Sequence, residues 1–330
     1  MNKNVFLIIF LTISMLSCNN KKEGFDYLQN VIHIKGEPLQ IEQMIGNPAF
    51  CITTINDTLL AYYDRYDGKL LSVFDLKNNH FVGRFVSEGQ GPTESLPPLF
   101  LFSYPQKDKL FTLQRNVATV SILDAQDFQI QYNIKFASRP SEIQKTKDYY
   151  IGIGVFDKGR FGVYDTQGEF LYAGETYPFN GKSMESPKAF LTYYGPFCAN
   201  PDKNYFVAGC SFSDYIAFYE VTENKVIPIK EYYSYDAPVD TRNDNNMIGY
   251  NCAFGTASYC YMLFSGKTLG ENKRQKIGRY IIVFDWQGNY IKTFNSDYDI
   301  FNFCVDEKNN CIYAVVREEN SEYEIFKFKM

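Results

Sequence analysis

The sequence predicts an all-β chain, a six-bladed β-propeller of four-stranded antiparallel blades closed by an N-terminal strand. Three observations carry that expectation. From about residue 50 onward, short runs rich in Tyr, Phe, Ile and Val alternate with turn clusters, and no stretch sustains a helical period. Two strand patterns then recur along the whole chain at a blade-like spacing. The composition also suits a large core: 45% of the 330 residues are hydrophobic and 17% aromatic against 22% charged, far from the make-up of disordered segments.

Residues 1–17 read as a lipoprotein signal peptide. One lysine precedes an almost unbroken apolar run from Val5 to Leu16, which ends at Ser17-Cys18. A dozen apolar residues are too few to span a bilayer, which needs roughly 20, and no later run reaches that length. Met15-Leu16-Ser17-Cys18 has the form of a lipobox, in which Cys18 is acylated and becomes the mature N-terminus; plain secretion with Cys18 as a bystander is the alternative. Residues 18–29 then form the lipidated terminus and tether, and residues 30–330 a single propeller.

Residues 31–36, VIHIKG, are an unpaired strand placed before the repeats. The first repeated pattern begins at Thr58, Lys109, Tyr149, Tyr205, Ser258 and Cys311, once per blade. The second is a strand ending in an acid, a polar turn rich in Asn and Gly, and a returning strand. It begins at Ser72, Ser121, Gly162, Ala217 and Ile282, with the acids at Asp75, Asp124, Asp165, Glu220 and Asp285. The sixth copy is cut short, because EIFKFK from Glu324 is the last strand of the chain. Val31 and its neighbours are expected to supply the missing outer strand and leave no open edge between first and last blades.

In this register Cys51, Cys198, Cys252 and Cys304 fall on innermost strands, where a small apolar thiol packs well. Disulfides of Cys304 with Cys311, Cys252 with Cys260 and Cys198 with Cys210 stay open in an oxidising compartment, and a soft-metal ring lacks any C-x-x-C spacing to support it.

At this point the chain resembles the six-bladed β-propeller lipoproteins of Bacteroidota, a TolB-like propeller group. The resemblance rests on the lipobox, the blade count and the segment RFVSEGQGPTES from Arg84, and covers residues 18–330. Gly89, Gly91, Pro92 and Glu94 match the Gly-x-Gly-Pro-x-Glu pattern of the first interblade loop, whereas Ser95 stands where a bulky residue is expected. The resemblance implies an exported, anchored propeller in the cell envelope, on the periplasmic side or the cell surface, and implies no reaction. On physical grounds the two glycines open backbone conformations closed to other residues and Pro92 stiffens the turn, so the loop reads as structural.

Charge and composition narrow the function. A net charge of −5 gives no general attraction for nucleic acid, so no nucleic-acid partner is expected, and membrane contact runs through the N-terminal lipid. The two histidines, His33 and His80, fall on outer strands, away from the axis, which removes Ser-His-Asp and Cys-His devices. No catalytic residue, metal or cofactor is assigned; the oxygen-rich segment 240–246 lacks calcium-loop spacing and reads as a solvated loop.

In a four-stranded blade the loops after the second and fourth strands share one face. Second-strand ends deliver Arg65, Arg115, Arg160 and Arg317 to it. Fourth-strand connections deliver Arg139, the long segment 177–197 with Phe190, Tyr193 and Tyr194, and the long segment 232–250 with Tyr235 and Arg242. Arginine forks and tyrosine faces together suit carboxylated sugars, peptides or aromatic groups. The expectation is convergence of Arg65, Arg115, Arg160, Arg242 and Arg317 near the axis beside Tyr193, Tyr194 and Tyr235. Local pairing of these arginines with neighbouring acids is the alternative. The function so read is a non-catalytic binding or scaffolding lipoprotein for a glycan, peptide or envelope protein. The alternative is a carbohydrate-active hydrolase or lyase with a carboxylate or Tyr/Arg site in the central pocket.

Overall fold

A computed structural model of the chain describes residue 26 and residues 28–330, except 42–45, 47–50, 139, 157–158, 175–176, 178–185, 236, 239, 274 and 318–322. Cys18 and Arg139 lie outside the described residues.

Among the described residues, strands dominate, and they assemble into six four-stranded antiparallel blades. Blade one comprises Ile52–Ile55, Leu59–Tyr66, Lys69–Asp75 and His80–Glu88. Blades two, three and four begin with the inner strands Leu99–Leu101, Glu142–Lys145 and Phe197–Ala199, and each continues outward in chain order. Blade five begins with Tyr250–Gly255. The long strand Tyr290–Asp306 is its outer strand over residues 290–295 and becomes the inner strand of blade six over residues 300–306. Blade six continues with Cys311–Arg317 and Tyr323–Lys329.

The N-terminal segment departs from the expected pairing. Val31–Ile34 does not lie on the last strand; it runs parallel to residues 293–296 on the outer edge of blade five. The next residues, Gly36–Pro38, pair antiparallel with residues 326–328 of blade six. The physical reason is local. A Cβ at position 36 would stand 2.5 Å from the Phe328 ring, so only a glycine brings the backbone close enough to pair. Pro38, which has no N–H to donate, sits where this short edge strand stops.

The core lies between blades, and aromatic rings supply much of it. Phe161, Phe206 and Tyr219 join blades three and four, and Phe218 meets Phe284 across blades four and five. One cluster spans blades five, six and one through Phe254, Phe303 and Leu60, so the first and last blades share a core. Each such buried ring contributes roughly 1.5–3 kcal/mol. On the outside, Lys308 of blade six pairs with Asp57 of blade one at 3.2 Å.

The recurring acids of the hairpins are turn caps. Asp75, Asp124, Asp165 and Asp285 each accept a hydrogen bond on Oδ1 from the N–H two residues on, at 2.7–3.0 Å. This explains why the repeat demands a short acid at that place. Glu220 departs from it, and in its turn Thr222 Oγ1 donates to the Lys225 carbonyl instead.

All seven described cysteines are buried free thiols. The register separates the pairs that spacing left open: Cys304 faces Tyr313, Cys252 faces Leu263 and Cys198 faces Val207. Burial pushes the thiols of Cys51 and Cys252 up to about 12. No helix among the described residues is long and apolar enough to cross a membrane.

Candidate functional site

Every inner strand starts at the same end of the ring. The beginnings of the six inner strands therefore surround the axis there, and the loops after second and fourth strands rim it. A cavity of about 470 Å³ opens at this end, and each blade lines it through a residue of its inner strand: Ile52, Phe100, Glu142, Phe197, Cys252 and Asn302. It is the face on which the sequence placed the arginines.

Three charged side chains meet there. Arg115 opens a 3-10 turn, Arg115–Val117, at the end of the second strand of blade two. Its Nη2 donates to Glu142 Oε1 at 2.7 Å, and its guanidinium carbon lies 3.6 Å from the centre of the Phe100 ring. Among the described residues that is the guanidinium's one hydrogen bond; Nε is buried without a partner. Glu142 opens the inner strand of blade three and takes a second bond on the same oxygen, from the Tyr194 hydroxyl. Tyr194 follows helix α1 (Ser186–Tyr193), the helix inside the long connection to blade four. Burial and the adjacent Glu142 carboxylate raise the Tyr194 phenol well above its ordinary value, so it acts as a donor.

Lys276 comes from the connection between the second and third strands of blade five. Its ammonium lies 5.6 Å from the centre of the Tyr194 ring and 5.2 Å from that of Phe212. It donates no hydrogen bond to any described side chain or carbonyl. The side chain reaches solvent, yet the protein around the mouth strips enough hydration to hold the ammonium below the ordinary lysine range, against the pull of Glu142. Of the charged residues described at the cavity, two are cations and one is a carboxylate. The mouth carries excess positive charge within a molecule of net charge −5.

The structure brings together part of the expected constellation. Arg115 and Tyr194 line the cavity. Arg65 is exposed and forms a two-point pair with Glu88 at 2.7 Å, the local pairing that the sequence left open. Arg160 is buried in the core, where Nη2 donates to the Tyr193 carbonyl and the guanidinium rests against Phe161 and Tyr215. Tyr193 packs in the same core between Tyr177 and Tyr215. The Tyr235 carbonyl is held by Ser213 Oγ, away from the cavity lining. Arg242 is exposed in a turn closed by Asp240, and Arg317 lies over Tyr323, which does line the cavity. Convergence of five arginines therefore does not occur: rotation about each strand end sends neighbouring register positions inward, outward or into the core.

Glu142 and Lys276 escaped the sequence reading. Glu142 sits at the first position of a short inner strand with no repeat marker. The signal for Lys276 was the long basic connection between the Ser258 and Ile282 strands, on the same loop face. The segment 240–246 is occupied with its own turns, Asn243 accepting from the Asn245 N–H and Asn246 donating to the Asp240 carbonyl. No cluster of three or more His, Cys, Asp or Glu able to hold a metal occurs among the described residues.

In the first interblade loop, the Glu94 carboxylate folds back over the glycines and accepts the Gly91 N–H at 2.8 Å. A Cβ on residue 89 would stand 2.0 Å from Glu94 Oε2. Ser95 is fully buried in the short strand that follows. None of these residues lines the cavity.

Comparison with known proteins agrees with the architecture. No curated protein matches the chain in sequence. Among solved structures, a Bacteroides fragilis protein described as exported is 14% identical, with TM-score 0.56 over 90% of this chain and 98% of that one. A member of the DUF4221 family from Bacteroides vulgatus is also 14% identical, with TM-score 0.52 over 90% and 96%. A calcium-binding protein, regucalcin, of Agrobacterium tumefaciens is 11% identical, with TM-score 0.51 over 91% and 95%. At such identities these likenesses concern the fold. The family model for the TolB-like six-blade propeller matches residues 39–308, and the chain belongs to that family.

Proposed function

We propose that the protein is a non-catalytic binding protein whose axial cavity takes a small carboxylated ligand of the sugar-acid class. The observation that carries the reading is the unbalanced charge at the mouth: Lys276 has no hydrogen-bonding partner among described residues, and Arg115 gives only one nitrogen to Glu142. Two cations facing one carboxylate, with hydration reduced by the surrounding protein, leave a net positive mouth that favours a bound anion. Amide and hydroxyl groups of Gln144, Asn251 and Ser211 in the lining suit the hydroxyls of a sugar, and the Phe100 and Tyr323 rings suit its apolar face. Against glycoside cleavage stands the acid count: a hydrolytic pair needs two carboxyl groups, and the described lining offers Glu142 alone, already engaged twice on one oxygen.

Titration calorimetry of oligogalacturonate tests the reading. Arg115→Gln and Lys276→Gln are each expected to weaken binding by about tenfold or more, since each removes a charge-assisted contact, Lys276→Gln with little change in melting temperature and Arg115→Gln with a modest fall because it also releases Glu142. Neutral gluco-oligosaccharides are expected to bind poorly to all forms. Release of new reducing ends on prolonged incubation would favour the enzyme instead.

The same reading makes the protein an exported lipoprotein anchored through Cys18. Support comes from Met15-Leu16-Ser17-Cys18 and the apolar run before it. Cys18→Ala is expected to move the protein from the membrane to the soluble fraction in a bacterial host that processes lipoproteins. Unchanged fractionation rejects the anchor.

A further inference from the structure

The charged mouth is shared by two hollows, the axial one richer in amide and hydroxyl groups. Beside the axial cavity lies a second hollow of about 540 Å³, and Arg115, Tyr194 and Lys276 line both. Below this trio, at the axis, the amide and hydroxyl groups of Ser103, Gln144, Ser211, Asn251 and Asn302 stand among apolar side chains such as Ile52 and Phe197. Above it the wall is mostly apolar, with Pro140, Phe190, Leu191 and Phe212 beside the hydroxyls of Ser141 and Thr241. Leu191 is 64% exposed although it belongs to helix α1, whose Ala189 is fully buried. A leucine this exposed on an ordered helix, at the edge of a cationic hollow, is an uncovered apolar surface.

The geometry points to a bipartite ligand: a polyhydroxylated carboxylate carrying an aryl or alkyl substituent. Its hydroxyls enter the axial cavity, its carboxylate meets Arg115 and Lys276, and its apolar group covers Leu191, Phe190 and Phe212. The inference rests on the anion-binding reading of the same cavity and adds the substituent. The order of the parts follows from the lining, because the cations stand at the junction of the two hollows and the carboxylate must therefore stand at the junction of the ligand's two halves. Placing the apolar group at the axis instead would cover the polar groups of Gln144, Asn251 and Ser211 without giving them hydrogen-bonding partners and leave Leu191 in water. Phe212 serves both parts, as one wall of the apolar hollow and as a ring beside the Lys276 ammonium.

Three probes separate the parts: phenyl β-D-glucuronide, free glucuronic acid and phenyl β-D-glucoside, titrated into the full-length chain in detergent. Phenyl glucuronide is expected to bind at least about tenfold more tightly than either of the others, because it alone carries both halves. Leu191→Ser, at an exposed position where folding is undisturbed, is expected to remove most of the advantage over glucuronic acid while leaving glucuronic acid affinity unchanged. Arg115→Gln is expected to remove the advantage over the glucoside. If phenyl glucuronide and glucuronic acid bind equally, or if Leu191→Ser weakens both alike, the bipartite ligand is overturned while the anion cavity stands. Equal binding of glucuronide and glucoside, unaffected by Arg115→Gln, overturns the anion cavity and the present inference with it.

Discussion

The Tyr194 hydroxyl donates to Glu142 Oε1, tying the connection that enters blade four to the first residue of blade three's inner strand. Arg115 of blade two holds the same oxygen, so three successive blades meet on one atom at the cavity mouth. Tyr194→Phe removes a hydrogen bond to a charged acceptor at a partly buried place and is expected to lower unfolding free energy by about 1–2 kcal/mol. The fold is kept, because the aromatic ring and its contact with Phe190 remain. Denaturant unfolding of the variant checks this; a stability equal to that of the native chain would show that the shared oxygen carries no structural load.

Gly89 and Glu94 form a coupled pair. An alanine at 89 would place Cβ within 2.0 Å of Glu94 Oε2, so the loop or the carboxylate must move. Gly89→Ala is expected to cost about 1–3 kcal/mol, as overpacking at a well-filled place does. The Gly89→Ala, Glu94→Ala double variant is expected to be more stable than the sum of the single effects implies, since the carboxylate that causes the clash is gone. Additive losses in a thermal-denaturation cycle would reject the clash as the reason for the motif.

Truncation locates the strand that completes blade six. Removing residues 19–29 is expected to leave the melting temperature within a few degrees of the parent. Removing residues 19–38 exposes the edge of Tyr323–Lys329 and the outer edge of blade five together, and is expected to lower the melting temperature sharply and cause aggregation seen by light scattering. An equally stable, monodisperse long truncation would show that Gly36–Pro38 is dispensable for the ring.

The thiols set an alkaline limit. Burial raises Cys51 and Cys252 to about 12 and Cys210 to about 11, whereas an unfolded thiol ionises near ~8.5. The folded chain keeps these protons to higher pH than the unfolded chain does. Their contribution is therefore complete below about pH 8.5 and is lost as pH rises toward 12. The urea midpoint is expected to be lower at pH 10 than at pH 8 under reducing conditions, and the native protein is expected to resist a thiol reagent that labels the unfolded chain readily. Rapid labelling of the native state would show that the inner strands open.

Much of the ring was legible from residue order because its determinants are local. Turn chemistry at Asp75, Asp124, Asp165 and Asp285, alternation of apolar residues and the recurring Cys of the inner strands act over a few residues, and they specify blades, their number and their orientation. They also specify which loops share a face, and Arg115 and Tyr194 stand on that face as expected. What local pattern leaves undetermined is where a side chain at a strand end turns and which distant strand fills an open edge. Arg65 and Arg115 hold equivalent repeat positions, yet one reaches solvent and Glu88 and the other the cavity, because each meets different neighbours; Arg160 falls on the third strand of its blade, not at the end of the second, and goes to the core. The pairing of Gly36–Pro38 rather than Val31–Ile34 with the last strand depends on the Phe328 ring, about three hundred residues away in sequence but adjacent in space. The meeting of Glu142 with Lys276 is of the same kind: ring closure brings blades three and five to one mouth, and only the assembled tertiary structure does that.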